Sequence, residues 1–508
     1  MKKTILLLLA LCFTSLMFAD NFVMIKVKDQ QNLRELFNKQ DLNIHYYNDN
    51  FVLATTANIN NNMILLDEKS FEDNASYFIV YCEKAEQQNY IERENVKVLF
   101  SSDDYLIVKP LGENPNPAKN DGMVAINNKT AKLAQAHRDI PSITEEDEVV
   151  RGLMDEVSID NLTATVQHLQ DYGRRRWNST ESFEVGQWIY EQFEELGLDV
   201  EQFEFTYGVN ESSPNIIATQ WGTKYPDQYV VCGSHYDTWG DSGNEPGADD
   251  NATGVATVLE TARILSKYNF ERTIIYCSFS AEEVGLIGSE AYASFCKDMG
   301  YNVVGYFNND MNGYLKEGSE IHIDLVYPDN ASVLGDYYMN LAGVYFPEMQ
   351  VRHVTFTSGD SDHTSFNKHG FMGIFPFEDK DNSSPYIHTG NDIIGTSVNS
   401  FEQTQRFTQM NVASVVTLAN ISIGGEGVVE NEYNNVTIFP NPAKNTLTLT
   451  SDVEGVEEVL IVNSLGQIVK EFSFETSTTV DIRDLNSGIY FVKILGDNII
   501  TKKIVIRD

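Results

Sequence analysis

Five short clusters in the middle of the chain gather residue types that bind metal ions and move protons. Gly233-Ser234-His235-Tyr236-Asp237 directly follows an apolar run at 229–232. That predicts a place at the C-terminal end of a strand, where open α/β sheets hold their ligands. An imidazole that binds a metal needs an acceptor on its other nitrogen, and Asp237, two residues from His235, can provide one; the same pair also serves as an ordinary structural contact. Gly247-Ala248-Asp249-Asp250-Asn251-Ala252-Thr253-Gly254 sets two adjacent carboxylates at the start of a helix. They suit either the helix N-terminus, whose dipole favours acids, or a carboxylate shared by two cations. Ser280-Ala281-Glu282-Glu283-Val284-Gly285-Leu286 follows the apolar run 274–279. Charges at the end of a buried strand are costly unless something positive meets them; a solvated loop is the alternative. Adjacent side chains diverge, so one glutamate can bind a metal while the other faces a substrate. Asn308-Asn309-Asp310-Met311 follows the apolar run 303–307, and Tyr386-Ile387-His388-Thr389 with Asp392 completes the set. Taken singly, each of the last two has an ordinary structural reading.

Together the clusters say more. A parallel sheet would bring His235, Asp249, Glu282, Glu283, Asp310 and His388 to one edge. Two histidines and three carboxylates suffice for two zinc ions that share one bridging carboxylate, activate a water and hold a substrate oxygen. The remaining glutamate is then free to act as general base.

The elements that must position these residues are legible as patterns. Apolar runs at 229–232, 273–279, 303–308 and 321–327 predict buried strands. Segments 158–171, 182–196, 254–266 and 288–297 have helical spacing, with Asn178, Ser179 and Thr180 as cap candidates for the second. The alternation predicts an α/β domain over 156–425, with a mostly parallel sheet covered by helices on both faces. Residues 20–110 alternate short apolar runs with helix-like stretches, as a small α/β domain does. Residues 111–155 carry Pro115, Pro117, Pro141 and the acidic run 145–148, and predict a linker. Residues 432–508 hold short strand-like runs punctuated by turns such as Pro440-Asn441-Pro442, Leu465-Gly466 and Asn486-Ser487-Gly488, a pattern that predicts a small all-β sandwich.

The chain has 508 residues, too many for one core. Lysine and arginine total 36 against 74 aspartates and glutamates, a net charge of −38. A nucleic-acid partner needs a basic face and is excluded on that ground; docking on anionic lipid is disfavoured likewise. Residues 1–19, with Lys2 and Lys3 ahead of an apolar stretch and Ala19 at its end, predict a secretory signal peptide. No later stretch is apolar enough to span a bilayer, so no transmembrane segment is expected in the mature chain. Cys82, Cys232, Cys277 and Cys296 lack CxxC spacing and predict no cysteine zinc site.

The order GSHYD, GADDNATG, SAEEVGLIGS, NND and HTGND resembles the M28 family of zinc aminopeptidases. The upstream Asn215-Ile216-Ile217-Ala218 and the Ser361-Asp362-His363-Thr364-Ser365-Phe366 segment belong to the same likeness, which covers residues 156–425. It implies a zinc exopeptidase fold and two zinc ions per chain. His235, Glu283, Asp310 and His388 would be terminal ligands, and Asp249 the bridge, next to a cis Asp249–Asp250 peptide. Glu282 would be general base, with Asp237 orienting His235. One departure concerns the residue before the last histidine, often tyrosine in the family and here Ile387. The group that stabilises the oxyanion is therefore open, with Tyr386 a weak candidate.

Phe439-Pro440-Asn441-Pro442-Ala443, Asn463-Ser464-Leu465-Gly466, Leu485-Asn486-Ser487-Gly488-Ile489-Tyr490 and Lys502-Lys503-Ile504 resemble a type IX secretion sorting domain of the kind found on exported proteins of Bacteroidota. That resemblance implies the type IX machinery as partner and a secreted or cell-surface destination. The expected protein is a secreted metallo-aminopeptidase acting on peptides, with residues 20–150 as a propeptide that covers the cleft until cut. A glutaminyl-cyclase-like single-zinc transferase and a non-catalytic surface binding protein are the alternatives.

Overall fold

The computed structural model describes residues 21–506 except 69, 72–75, 83, 113–120, 134–139, 209, 240–242, 357–358, 422–435, 440–442, 452–456, 464–467, 486–487 and 496–498. The expected signal peptide and the turns at 440–442, 465–466 and 486–487 lie outside the described residues.

An eight-stranded mixed sheet organises the middle of the chain. Its centre is four adjacent parallel strands, in the order Gly373–Phe377, Asn302–Asn308, Tyr225–His235 and Arg272–Phe279. Antiparallel neighbours flank this centre: Asn215–Gln220 and then Asp199–Phe203 on one side, and Ile323–Val326 on the other, with Val351–Val354 at that edge. The sheet is thus less uniformly parallel than the sequence pattern suggests. Strand Tyr225–His235 pairs with Arg272–Phe279 on one side and with the next strand in the chain, Asn302–Asn308, on the other. Successive crossovers therefore leave in opposite directions, and a crevice opens where they part.

Both faces of the sheet are covered, which explains the unbroken apolar runs. Val230, Cys232 and Ile274 pack with helices Thr253–Leu265 and Phe401–Ala419 in the largest core. Tyr229, Val231 and Ile275 point the other way, into a second core with Tyr292 of helix Ile287–Asp298 and Phe366. The predicted helices appear as Ile159–Asp171, Thr180–Glu195, Thr253–Leu265 and Ile287–Asp298. Ser158 and Ser179 cap the first two, each side chain accepting from the backbone N–H three residues on.

The N-terminal region builds two four-stranded antiparallel sheets. One runs Asn43–Tyr47, Phe51–Thr56, Asn21–Lys26, Met63–Asp67; the other runs Val96–Ser101, Tyr105–Pro110, Tyr77–Tyr81, Gly122–Ile126. The last of these strands falls within 111–155, the stretch expected to be a linker. So does helix Glu148–Asp155, whose Val150, Leu153 and Met154 enter the largest core. Proline and acid content hid short apolar runs that the tertiary fold buries. At the other end, a three-stranded sheet (Val436–Phe439, Thr446–Ser451, Ser477–Asp481) and a four-stranded one (Ile468–Phe474, Glu457–Asn463, Gly488–Leu495, Ile499–Ile506) share a core around Leu447, Leu449, Ile461 and Val492. This is the expected sandwich. No helix among the described residues is long and apolar enough to cross a membrane.

Candidate metal centre

The C-terminal ends of the parallel strands deliver the expected side chains to one place. His235 ends strand Tyr225–His235, Glu282 and Glu283 follow Arg272–Phe279, and Asp310 follows Asn302–Asn308. His388 arrives on a separate loop. Six non-glycine residues among those described have positive φ, and four of them, Ala281, Leu286, Met311 and His388, sit in these loops. Such left-handed residues are costly and tend to collect where a site dictates the backbone.

Asp250 lies between the two histidines. Its Oδ1 is 3.2 Å from His235 Nε2 and its Oδ2 is 3.1 Å from His388 Nε2. His235 Nε2 is also 3.4 Å from Asp310 Oδ1, and His388 Nε2 is 3.1 Å from Glu283 Oε2. The arrangement is two half-sites sharing one carboxylate. Glu282 offers an oxygen within 4.8 Å of His235 and Asp310 donor atoms.

The shared carboxylate corrects the sequence expectation, which gave the bridge to Asp249. The Asp249 side chain turns away from the histidines: Oδ1 accepts from Gly313 N–H at 2.8 Å. Burial, with Glu378 and Asp392 close by, pushes this carboxyl well above the usual range. The cis peptide is likewise Asp250–Asn251, one residue beyond the expected position. Two features set this register. Gly247 turns at φ +55, where a Cβ would strike Thr238 Cγ2 at 2.3 Å and Asp250 O at 2.4 Å. Asp392 then accepts from the N–H groups of both Asp249 (2.8 Å) and Asp250 (3.1 Å). Adjacent acids look alike in sequence, and only this loop geometry separates them. Asp392 appeared in the sequence as part of a cluster without a role; holding the 249–250 turn is what it does.

Asp237 stands as expected behind His235, with an added duty. Its backbone oxygen is 3.2 Å and its Oδ1 3.6 Å from His235 Nδ1, and Oδ1 also accepts from Glu282 N–H at 3.1 Å. One residue thus orients both a histidine and the glutamate loop. Ser361 Oγ donates to Asp310 Oδ2 at 2.8 Å. Trp239 stacks on His388 with centroids 5.5 Å apart and 17° between planes. The sequence placed Ser361 in a family-like segment without a role, and Trp239 gave no signal. Arg175, fully buried, donates to the carbonyls of Leu169, Tyr236, Pro246 and Gly247, and so ties together the loops behind the site. Burial lowers its pKa to about 10, against the pull of Asp392 and Asp237.

The electrostatics fit a cationic occupant. Buried carboxylate oxygens Asp237 Oδ2, Glu283 Oε1 and Asp310 Oδ1 have no hydrogen-bond partner. Burial pushes the Glu282 carboxyl well above its ordinary value, and burial together with Asp250 pushes Glu283 up to about 7. Burial also raises Asp250, but hydrogen bonds from His235 and His388 outweigh it and hold this carboxylate below its ordinary range. Burial opposes charge on His235 and His388, yet the surrounding carboxylates, Glu282 for the first and Glu283 for the second, raise both well above the usual imidazole value. Unpaired buried carboxylates facing imidazole nitrogens make the donor set that zinc takes.

A cavity of about 390 Å³ opens onto this cluster, within the size range of small-molecule sites. Met311, Phe356, Phe375, Phe377 and Ile387 form its apolar part, and Asp121, Gly122 and Met123 from the N-terminal region also line it. Tyr386 lies edge-on to Tyr314, with centroids 6.3 Å apart, and is not among the lining residues.

The fold has solved counterparts. LapB from Legionella pneumophila superposes with a TM-score of 0.56 at 24% identity, covering 68% of this chain and 100% of that one. The LapA aminopeptidase of the same organism gives 0.54 at 21%, covering 68% and 98%. In sequence, a probable zinc metalloprotease of Phaeosphaeria nodorum is 30% identical over 294 residues, 45% of this chain and 59% of its own length. Leucine aminopeptidase 1 of Emericella nidulans is 29% identical over 275 residues, 49% and 68% of the two chains. The chain therefore spans about three fifths of the first of these relatives. Residues 437–507 match the secretion system C-terminal sorting domain and residues 215–413 match peptidase family M28, so a region similar to M28 peptidases precedes one similar to sorting domains.

Proposed function

We propose that the chain is an exported aminopeptidase that uses two zinc ions to remove N-terminal residues from peptides. The observation that carries this reading is the split of Asp250: one oxygen faces His235 and the other His388. His235 and Asp310 would hold one ion, His388 and Glu283 the other, and Asp250 both. When bound, the ions supply Lewis-acid polarisation of the scissile carbonyl and a water acidified enough to attack it.

The remaining steps belong to the chain's own groups. Glu282, anchored through its N–H to Asp237, takes the proton of the attacking water and delivers it to the leaving amine. Burial raises its carboxyl above the ordinary range, which favours uptake of that proton. Asp237 keeps the His235 ring oriented. The apolar side of the cavity favours a large uncharged side chain on the substrate's first residue, in keeping with the leucine aminopeptidase named among the relatives. The sorting domain directs the chain to the cell surface or the medium, with the type IX machinery as its partner.

The test is hydrolysis of leucyl-, phenylalanyl-, lysyl- and glutamyl-arylamides with and without a chelator, alongside metal analysis. Two zinc ions per chain, chelator-sensitive activity and a preference for leucyl or phenylalanyl substrates are expected. Glu282→Gln should keep both zinc ions and lose activity by about 100- to 10,000-fold. One zinc per chain would point instead to a single-zinc transferase. Full zinc loading without hydrolysis of any arylamide would point to a binding role.

A further inference from the structure

The loop that carries Glu282 and Glu283 holds a backbone it would not choose alone. Ala281 (φ 59°) and Leu286 (φ 61°) bracket it in the left-handed region. Non-glycine residues persist there only when their surroundings enforce it, and much of that enforcement comes from the N-terminal sheets. Ala281 and Val284 are buried in a core with Phe78, Val80, Leu106 and Met123. Leu286 enters a different core, among Phe22, Tyr46, Ile79 and Val124. Between them, Gly285 O accepts from Ala125 N–H at 3.1 Å, and a Cβ at Gly285 would meet Ala125 N at 3.0 Å.

The contact continues past the loop. Asn127 Nδ2 donates to Glu290 Oε1 at 2.9 Å, beside Lys368 Nζ at 2.9 Å and His369 Nε2 at 3.0 Å. Tyr47 Oη donates to Asn367 O at 2.6 Å, and Lys132 N–H to Lys368 O at 2.8 Å. At the cavity, Gly122 lies so close to Gly359 that a Cβ would approach its Cα to 2.8 Å. A segment built to leave would expose two apolar cores and strip the loop of the packing that fixes it.

We infer that the described residues 21–133 are a permanent part of the working protein, positioning the Glu282–Glu283 loop and forming one fixed wall of the substrate cavity. This replaces the expectation of a removable propeptide. The wall and the effect on turnover rest on the proposed peptidase reading; retention of the module does not.

A protease site inserted between Thr144 and Glu145 of the full chain separates the possibilities. After cutting, the two pieces should elute together on native size exclusion, with hydrolysis within about twofold of the uncut chain. Dissociation of the N-terminal piece with a rise in hydrolysis would overturn the inference. Because elution is read without substrate, it stands or falls even if no arylamide is cleaved. Ala125→Pro removes one N–H from an edge strand, where proline is tolerated. It should lower kcat about tenfold while KM, zinc content and co-elution hold; an unchanged kcat would overturn the positioning role. Met123→Ala should change the ratio of KM values for leucyl and phenylalanyl substrates about fivefold, and an unchanged ratio would remove the wall.

Discussion

Two clusters in the M28-like region join histidine to buried acids, and they solve the same problem in opposite ways. In the first, His235, His388, Asp250, Glu283 and Asp310 face one another, and the acids' ion pairs at this cluster run only to histidines among the described residues. Arg175, the buried cation behind it, donates to main-chain carbonyls. In the second, His322 stands 4.0 Å from Asp324 and 3.8 Å from Asp379, but Arg352 lies among the acids. Its guanidinium grips both oxygens of Asp324, at 2.9 Å for one of them, and reaches Asp381 at 3.4 Å. Asp324 also accepts from Lys380 N–H at 2.8 Å. Both clusters have donor atoms close enough for a metal. A buried carboxylate must be paired; where a guanidinium does the pairing the cluster is structural, and where none does it a metal ion has a place to go.

The comparison can be broken at either cluster. The largest effect is expected from Asp250→Asn, which removes the shared carboxylate. Hydrolysis should fall on the order of a thousandfold, about 4 kcal/mol of barrier, with loss of zinc by elemental analysis. Asp249→Asn, one residue away, should cost less than about tenfold, because Asp249 faces Gly313 N–H and an asparagine amide oxygen can accept that bond. Equal losses in the two variants would return the bridge to Asp249.

Zinc itself is the next lever. A hundredfold excess of zinc over its dissociation constant should stabilise the fold by about 2.7 kcal/mol for each ion bound, relative to chelated protein. Differential scanning calorimetry with and without chelator measures this. Asp324→Asn should leave that increment intact, because the Arg352 cluster needs no metal.

Removing the guanidinium, Arg352→Met, strands Asp324 without its charge partner. About 2 kcal/mol of stability should be lost in urea unfolding, a reduced figure because Arg352 is itself partly exposed. Zinc content and kcat should be unchanged.

The smallest effect sharpens the contrast from a third place. His45 is buried with Thr55 Oγ1 and Lys129 O as partners, and among the described residues it has no ion pair with a carboxylate. Burial therefore lowers its pKa to about 4, opposite in direction to His235 and His388. The folded value lies below the unfolded one of 6.5, so acid protonates the unfolded chain first. This contribution is complete above pH 6.5 and is lost as the pH falls toward 4. Between pH 6.5 and 5.5 about 1 kcal/mol should go. His45→Asn should flatten that part of the stability profile measured by thermal unfolding.

Much of this site could be read before the fold was known. Strand-like runs followed at once by His235, by Glu282 and Glu283, and by Asp310 describe groups at the C-terminal ends of buried strands, and the sheet puts them there. Ser179, among the cap candidates, announced its helix because a hydroxyl ahead of an apolar stripe is a local signal. Other elements had no such signal. Gly373–Phe377, the fourth of the central parallel strands, contains Pro376, which argues against a strand. The ladder to Asn302–Asn308 involves only Gly373 and Ile374, and Pro376 sits beyond it, opposite Leu325 of the antiparallel neighbour. Gly122–Ile126 was hidden by the prolines and asparagines before it, and owes its place to pairing with Tyr77–Tyr81, more than forty residues back.

The sequence by itself determined the inventory: which acids and histidines end which apolar runs, where helices begin, and that a β-sandwich closes the chain. These depend on neighbours a few residues apart, which the order of residues records directly. Tertiary structure decided which of two adjacent aspartates faces the histidines, and gave the N-terminal sheets their place against the glutamate loop. Both depend on backbone direction and on contacts between distant segments: a turn at Gly247 held by Asp392, and a loop at Ala281 and Leu286 held by strands some two hundred residues earlier. Side chains next to each other in sequence point apart in space, so a step of one residue decides which of them can bind.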